Sequence, residues 1–423
     1  MWQVLANIFQ VPTLRNKLLF ILGILVVYRV AANIPLPGVD VFALKQLFEE
    51  NAFLGLLNIF SGGGLSNISI MLLGVAPYIT ASIIMQLMTT LVPSLERLYK
   101  EEGEQGRQKF NMITRWLTVP LAALQSFSML SLLRSQNILG TIEPFTMAVI
   151  IVSATAGTIF LMWLGELITE KGLGNGVSMI IFAGIVSSLP TALSRVIATW
   201  DPSQFFTYLL FFAVGAVTIA GVIFVNEGQR TIPVAYAKRV RGAETYGGSS
   251  THLPLKVNQA GVIPIIFAVS LILIPTMIAN FLAQSASGNV AAYALSIGAW
   301  LQNQWVYGSV YFLLVVVFTY FYTAVVFDPN KIAENLQKQG GYIPGIRPGN
   351  TTAEYLYHII NRITLAGALF LGAIAVMPFI VQGMTGIQSL SLGGVSILIV
   401  VSVVLETIKH IQSQVMMRSY ETF

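Results

Sequence analysis

The obvious acid–base candidates are the three histidines, His252, His358 and His410, and none has a second catalytic group at a productive spacing. The chain has no HExxH pair, no P-loop and no paired aspartates within an apolar run, and without cysteine it has neither a thiol nucleophile nor a thiolate metal site. The carboxylates nearest the apolar runs, Glu166, Glu227 and Glu406, fall at the ends of those runs. Inside them stand Gln86, Gln125 and scattered serines and threonines, residues suited to hydrogen bonds between helices. This inventory argues against an enzyme and calls for no cofactor and no metal. Its functional potential lies in branched aliphatic side chains, which can close around an empty path as a dewetted constriction that blocks ions and yields to something wide.

Such side chains act only if membrane-spanning elements position them. The chain has 423 residues, 55% hydrophobic and 10% charged, with a mean hydropathy of +0.75, as expected of an integral membrane protein. Runs long enough to cross a bilayer need about 20 apolar residues. Ten are found: 18–32, 68–92, 113–133, 145–167, 177–198, 205–225, 262–282, 306–327, 359–381 and 394–408. The first lacks a small-residue cleavage site and reads as a retained span. Ten crossings put both termini on one side. All but four of the 23 basic residues fall on that side; the exceptions are Arg29, Lys45, Arg134 and Arg195, so the termini are expected in the cytoplasm.

An internal repeat organises these spans. Gly74-Val75-Ala76-Pro77-Tyr78-Ile79 in the second matches Gly261-Val262-Ile263-Pro264-Ile265-Ile266 in the seventh, as GVxPxI. Gly176-Val177-Ser178-Met179-Ile180-Ile181 in the fifth matches Gly394-Val395-Ser396-Ile397-Leu398-Ile399 in the tenth, as GVSxxI. Five spans per half make paired spans cross in opposite directions, the pattern of an inverted repeat. The fold class expected is therefore an all-helical polytopic membrane protein of ten transmembrane helices, with halves at 1–200 and 201–423. The repeat nominates Val75, Ile79, Ile181, Ile185, Ile266 and Ile399 to face a common axis; the bland alternative is that they only pack or face lipid.

Two loops are longer than helix connections require. Residues 229–256 mix β-prone residues with Lys238, Arg239 and Arg241 before the turn signal Tyr246-Gly247-Gly248, predicting a basic hairpin. In 328–357, Gly340 to Gly349 forms a rigid Pro/Gly tip presenting Arg347. Both read as docking surfaces for an energy source with acidic patches or phosphates. Ahead of the second span, Gly62-Gly63-Gly64 breaks the apolar run; non-helical backbone at membrane depth is tolerated where protein buries it or where it lines a cavity. An ion-coupled secondary transporter of a small solute is the rival class, but it needs ionisable groups at mid-membrane depth.

Gly74 to Gln86, Gly165 to Gly184, Thr251 to Pro264, Phe327 to Ala333 and Pro344 to Gly349 together resemble the SecY family, channel subunits of the bacterial Sec protein translocon. The resemblance runs along essentially the whole chain. It implies a protein-conducting channel that passes unfolded secretory proteins across the bacterial plasma membrane, or a thylakoid membrane in a photosynthetic source, and releases membrane proteins sideways into lipid. It implies a clamshell of two halves around a central pore, with the six aliphatic residues as the pore ring. A plug is implied at 61–73, with Ser61, Gly62, Gly63, Gly64, Leu65, Ser66 and Asn67 at its centre. A lateral gate is implied between spans two and three and spans seven and eight, where Gln86 and Gln125 lie. The partners implied are SecE-like and SecG-like small membrane subunits, with the SecA ATPase or a ribosome at Lys238, Arg239, Arg241 and Arg347. Family members often carry a basic pair where this chain has Ala243-Glu244.

Overall fold

The computed structural model describes residues 12–36, 69–100, 102–135, 143–171, 174–198, 202, 205–236, 239–241, 244–246, 250–285, 292–293, 296, 298, 300, 303–385 and 394–421. Each predicted apolar run lies mainly on a helix. The helices are α1 (Pro12–Ala31), α2 (Ala76–Leu91), a short α3 (Pro93–Lys100), α4 (Gly103–Ser135), α5 (Pro144–Glu170), α6 (Gly176–Ala198), α7 (Phe205–Glu227), α8 (Ile263–Ser285), α9 (Gln304–Val326), a polar α10 (Pro329–Lys338), α11 (Asn350–Thr385) and α12 (Gly394–Glu421). Among the described residues, four stretches are long and apolar enough to span a membrane by themselves: Pro144–Glu170, Trp305–Lys338, Asn350–Val381 and Val395–Met416. A fifth is the pair α2 and α3, bent by 112° where Pro93 follows Val92.

The second span begins later than hydropathy indicates. Residues 69–75 form an isolated bridge (Pro35 with Ser69) and turns, and α2 starts only at Ala76, with Pro77 in its first turn, where proline's missing N–H leaves no unsatisfied donor. The repeat motifs stand at equivalent places in the backbone. Gly74 and Gly261 adopt φ of 56° and 63°, a left-handed conformation that favours glycine, each two residues before its helix starts, at Ala76 and Ile263. Gly176 and Gly394 are each the first helical residue. At Gly176 an added Cβ would lie on the Gly165 carbonyl of α5, so close helix contact demands the glycine there.

Helix neighbours repeat as well. Helix α1 packs on α5 and α6, α2 on α4 and α5, and α4, α5 and α6 pack in sequence; likewise α7 packs on α11 and α12, α8 on α9 and α11, and α9, α11 and α12 pack in sequence. The two sets meet where α8 lies against α2 and α4, and where α6 lies against α12. Residues near the two termini share one face of the molecule. Lys17 Nζ donates to Gln414 Oε1 at 3.3 Å, and Lys409 Nζ is 2.7 Å from Glu227 Oε1.

The hairpin is present, but it is part of a larger body. Strand β1 (Gln229–Tyr236) pairs antiparallel with β4 (Ser250–Lys256), from Gln229 opposite Lys256 to Ala235 opposite Ser250; β2 (Arg239–Arg241) pairs with β3 (Glu244–Tyr246) beyond them. From the other long loop, β5 (Gly341–Tyr342) pairs with Ala235 and Tyr236, giving a three-stranded sheet in the order β4-β1-β5. A small apolar core of Ile232, Val234, Leu255, Ile343, Leu356 and Ile359 lies beneath this sheet and the start of α11. The second loop is therefore shorter than predicted, since residues 350–357 already belong to α11. Their polarity hid the helix from a scan for apolar runs.

Candidate pore, gate and docking surface

Four helix starts bring the six predicted ring residues into one place. Val75 caps α2 and Ile79 follows one turn on; Ile181 and Ile185 lie on α6, Ile266 on the first turn of α8 and Ile399 on the second turn of α12. All six are buried, from 0% exposure at Val75 and Ile399 to 6% at Ile79, and all belong to one continuous apolar cluster. The cluster extends beyond them to α1, α5, α9 and α11. Branched side chains packed without polar partners offer nothing to hold a water file.

The seam between α2, α4 and α8 is more polar. Gln125 Nε2 on α4 donates to Thr80 Oγ1 on α2 at 3.3 Å, and the Thr80 hydroxyl donates to the Ala76 carbonyl at 3.0 Å. Gln86 does not reach Gln125. Its Nε2 donates within α2 to Ser82 Oγ at 3.4 Å, while its Oε1 is buried with no donor among the described residues. Ser126 on α4 and Ser270 on α8 are buried too. A hydrogen bond between membrane helices is worth about 0.6–2 kcal/mol, and that of Gln125 to Thr80 ties α4 to α2 on one side of the seam. Across α8, Phe267 meets Phe318 and Tyr322 of α9 edge-on, at 5.9 and 6.2 Å between ring centroids.

Among the docking candidates, Arg347 is exposed at the tip of a turn. Buried Ile343 anchors the turn, Ile346 N donates to the Ile343 carbonyl at 3.0 Å, and the Thr352 hydroxyl donates to the Arg347 carbonyl at 2.9 Å. Gly345 and Gly349 take φ of 84° and 99°, so the loop keeps a fixed shape that presents the cation outward. Arg239 and Arg241 lie on β2, opposite Tyr246 and Glu244. On α10, Lys338 Nζ lies 2.6 Å from Glu334 Oε1, and that hydrogen bond holds the Glu334 carboxyl below the usual carboxylate range. Lys238, Ala243 and the central plug residues Ser61 to Asn67 lie outside the described residues.

The carboxylates near the apolar runs each have a basic neighbour. Arg115 Nε is 2.7 Å from Glu166 Oε1 and ties α4 to α5, Glu227 pairs with Lys409, and Glu406 Oε1 is 4.0 Å from His410 Nε2. They brace helix ends. Sequence reasoning did not single out a partly buried amide relay, Asn226, Asn258 and Ser402, although Asn258 sits within the Thr251 to Pro264 motif. Its signal is an asparagine just ahead of a membrane helix.

A mainly helical membrane protein whose repeated helix bundles meet around buried aliphatic side chains has the makings of a channel. Comparison with known proteins places it more closely. The SecY family model matches residues 69–408, and the chain belongs to the SecY family. It is 46% identical to the protein translocase subunit SecY of Streptomyces scabiei, over 99% of this chain and 98% of the relative. A solved protein-conducting channel superposes with a TM-score of 0.65 at 18% identity, covering 94% of this chain and 91% of the other. Sec61 in the canine ribosome–channel complex from the endoplasmic reticulum superposes with a TM-score of 0.63 at 17% identity, with the same coverage of both chains. At those identities the superpositions speak for the fold.

Proposed function

We propose that the chain is the protein-conducting channel subunit of a membrane translocase, passing unfolded secretory proteins across the bacterial plasma membrane and releasing apolar segments sideways into lipid. The observation that carries this reading is the meeting of Val75, Ile79, Ile181, Ile185, Ile266 and Ile399 in one buried apolar cluster, drawn from helix starts that the two repeat motifs pair. Membership of the SecY family supports it independently. The channel performs no chemistry of its own.

In this reading all ten helices α1, α2, α4 to α9, α11 and α12 cross the bilayer, and the chain forms two halves, 1–200 and 201–423, closing like a clamshell. The repeated helix neighbours support that division, and the α6–α12 contact is its hinge. Opening separates α8 from α2 and α4, where Gln86 and Gln125 line the seam. The segment 61–73 serves as the plug. Both termini and the sheet face the cytoplasm, as the distribution of basic residues supports. There the sheet, Arg347 and the basic hairpin with Lys238, Arg239 and Arg241 receive the SecA ATPase or a ribosome, the partner in the canine complex. SecE-like and SecG-like subunits brace the bundle. An ion-coupled transporter is not favoured, because the carboxylates it would need sit at helix ends beside basic groups.

The test is reconstitution of the purified complex in vesicles with a presecretory protein, ATP and the soluble motor. Protease-protected precursor inside the vesicles is the expected result. Counterflow of a small solute without precursor transport would sink the channel reading.

A further inference from the structure

The connector between β4 and α8 carries a partly buried hydrogen-bonded relay that neither the ring, the seam nor the docking surface uses. Asn258 is 6% exposed. Its Nδ2 donates to Asn226 Oδ1 on α7 at 2.8 Å and to the Gly261 carbonyl at 3.1 Å, and Asn226 Nδ2 donates in turn to Ser402 Oγ on α12 at 2.7 Å. Because Gly261 offers a carbonyl there, the nitrogen of the Asn258 amide must point toward it. Asn258 Oδ1, at the other end of the amide, is buried with no donor among the described residues.

The relay lies where the sheet joins the helix. Val257 N donates to the Gly228 carbonyl at 2.8 Å, continuing directly from the Gln229 and Lys256 pair that ends the β1–β4 ladder. The Val257 carbonyl presses on α11 so closely that a Cβ on Gly367 would come within 2.8 Å of it. The connector thus lies against α7 and α11, and Asn226 links it onward to α12. Immediately beyond it, at the start of α8, Gly261 has φ +63° and nothing within 4 Å of where a Cβ would stand.

The internal repeat supplies a comparison within the same molecule. Asn258 stands three residues ahead of Gly261; three residues ahead of Gly74 stands Met71, 1% exposed and part of the main apolar cluster. The corresponding position ahead of α2 is therefore an apolar side chain packed in the core. Ahead of α8 the same position is a hydrogen-bonded amide, although α8 itself also begins in the apolar cluster, through Val262, Ile265 and Ile266.

We propose that Asn258 is a positioning residue that couples the cytoplasmic sheet to the tilt of α8. Displacement of the sheet by a docked partner passes through Val257 to Asn258, loosens its bond to Asn226 and turns α8 about Gly261, away from α2 and α4. This rests on the channel reading above, in which α8 borders the gate.

The test uses the complete channel complex in planar bilayers, reading ion conductance with and without the docked cytoplasmic motor and a precursor. Asn258→Met installs the residue found at the repeat-related position and removes both donated bonds. The ratio of docked to resting conductance is expected to fall about tenfold, the order set by losing one or two such hydrogen bonds. Ser402→Ala removes only the far end of the relay, so it tests the same coupling should Asn258→Met fold poorly. It should lower the ratio about threefold in the same direction. A ratio unchanged in Ser402→Ala, or in folded Asn258→Met, while wild type still moves precursor, overturns the coupling alone. Failure of wild type to move precursor removes the channel reading beneath it.

Discussion

Replacing Ile399 with asparagine puts a carboxamide at the best-covered level of the proposed ring. Ile399 is 0% exposed and shares its apolar cluster with the other five ring residues. Losing the buried isoleucine surface costs the closed arrangement about 1.5–3 kcal/mol, and lodging an amide among aliphatic side chains adds roughly 1–3 kcal/mol. Widening the path hydrates the amide and relieves both penalties, so they bear on the closed state alone. A combined effect of about 3 kcal/mol corresponds to roughly a hundredfold rise in the open-to-closed ratio. Two assays read it: resting ion conductance of the complex in planar bilayers, and transport of a precursor with a weakened signal sequence. Both should rise, and Ile79→Asn should act in the same direction. A variant with a lowered melting temperature in detergent but unchanged conductance and unchanged signal stringency would refute the reasoning, because the penalty would then fall on open and closed states alike.

Reversing the charge of Arg347 with Arg347→Glu should impair motor-driven transport at least tenfold if the exposed tip docks on an acidic surface, with membrane insertion of the channel unaltered; normal motor-dependent translocation in vesicles would remove the docking role. Ile343→Ala should loosen the sheet by about 2–5 kcal/mol, read as faster amide exchange in β1, β4 and β5 together. Faster exchange in β5 alone would show that the two loops are not one body. Deleting Ser61 to Asn67 should raise resting ion leak more than it lowers precursor transport, and a tight pore after the deletion would end the plug assignment.

The extent to which the molecule is legible from its residues differs from part to part. The helical character of every predicted apolar run could be read directly, because backbone polar groups in lipid must be satisfied within the segment and a run of apolar residues is its own sufficient signal. The late start of α2 at Ala76 could not, since Ile68 to Val75 are as apolar as the helix that follows and only local backbone geometry separates them. The hairpin was foreseen from β-prone residues around a turn, whereas β5 contributes two residues, too few for any pattern. Helix α10 and the first turns of α11 escaped a scan for apolar runs because they are polar. Gln86 and Gln125 were foreseen on one seam, yet they bond to different partners, a matter of side-chain reach that spacing does not encode.

Residue type and period alone determined that this chain enters a membrane, that its apolar segments fold as helices, that two short motifs each recur later in the chain, and that aliphatic rather than ionisable side chains are available to act. Those are local properties, settled by the cost of taking backbone and charge out of water. Only the tertiary structure decided that six aliphatic residues from four helices meet in one cluster, that two separate loops share one sheet, and that Asn258 bonds to Asn226 on another helix. Each of these joins residues distant along the chain, and which distant surfaces meet is set by the packing of the whole bundle.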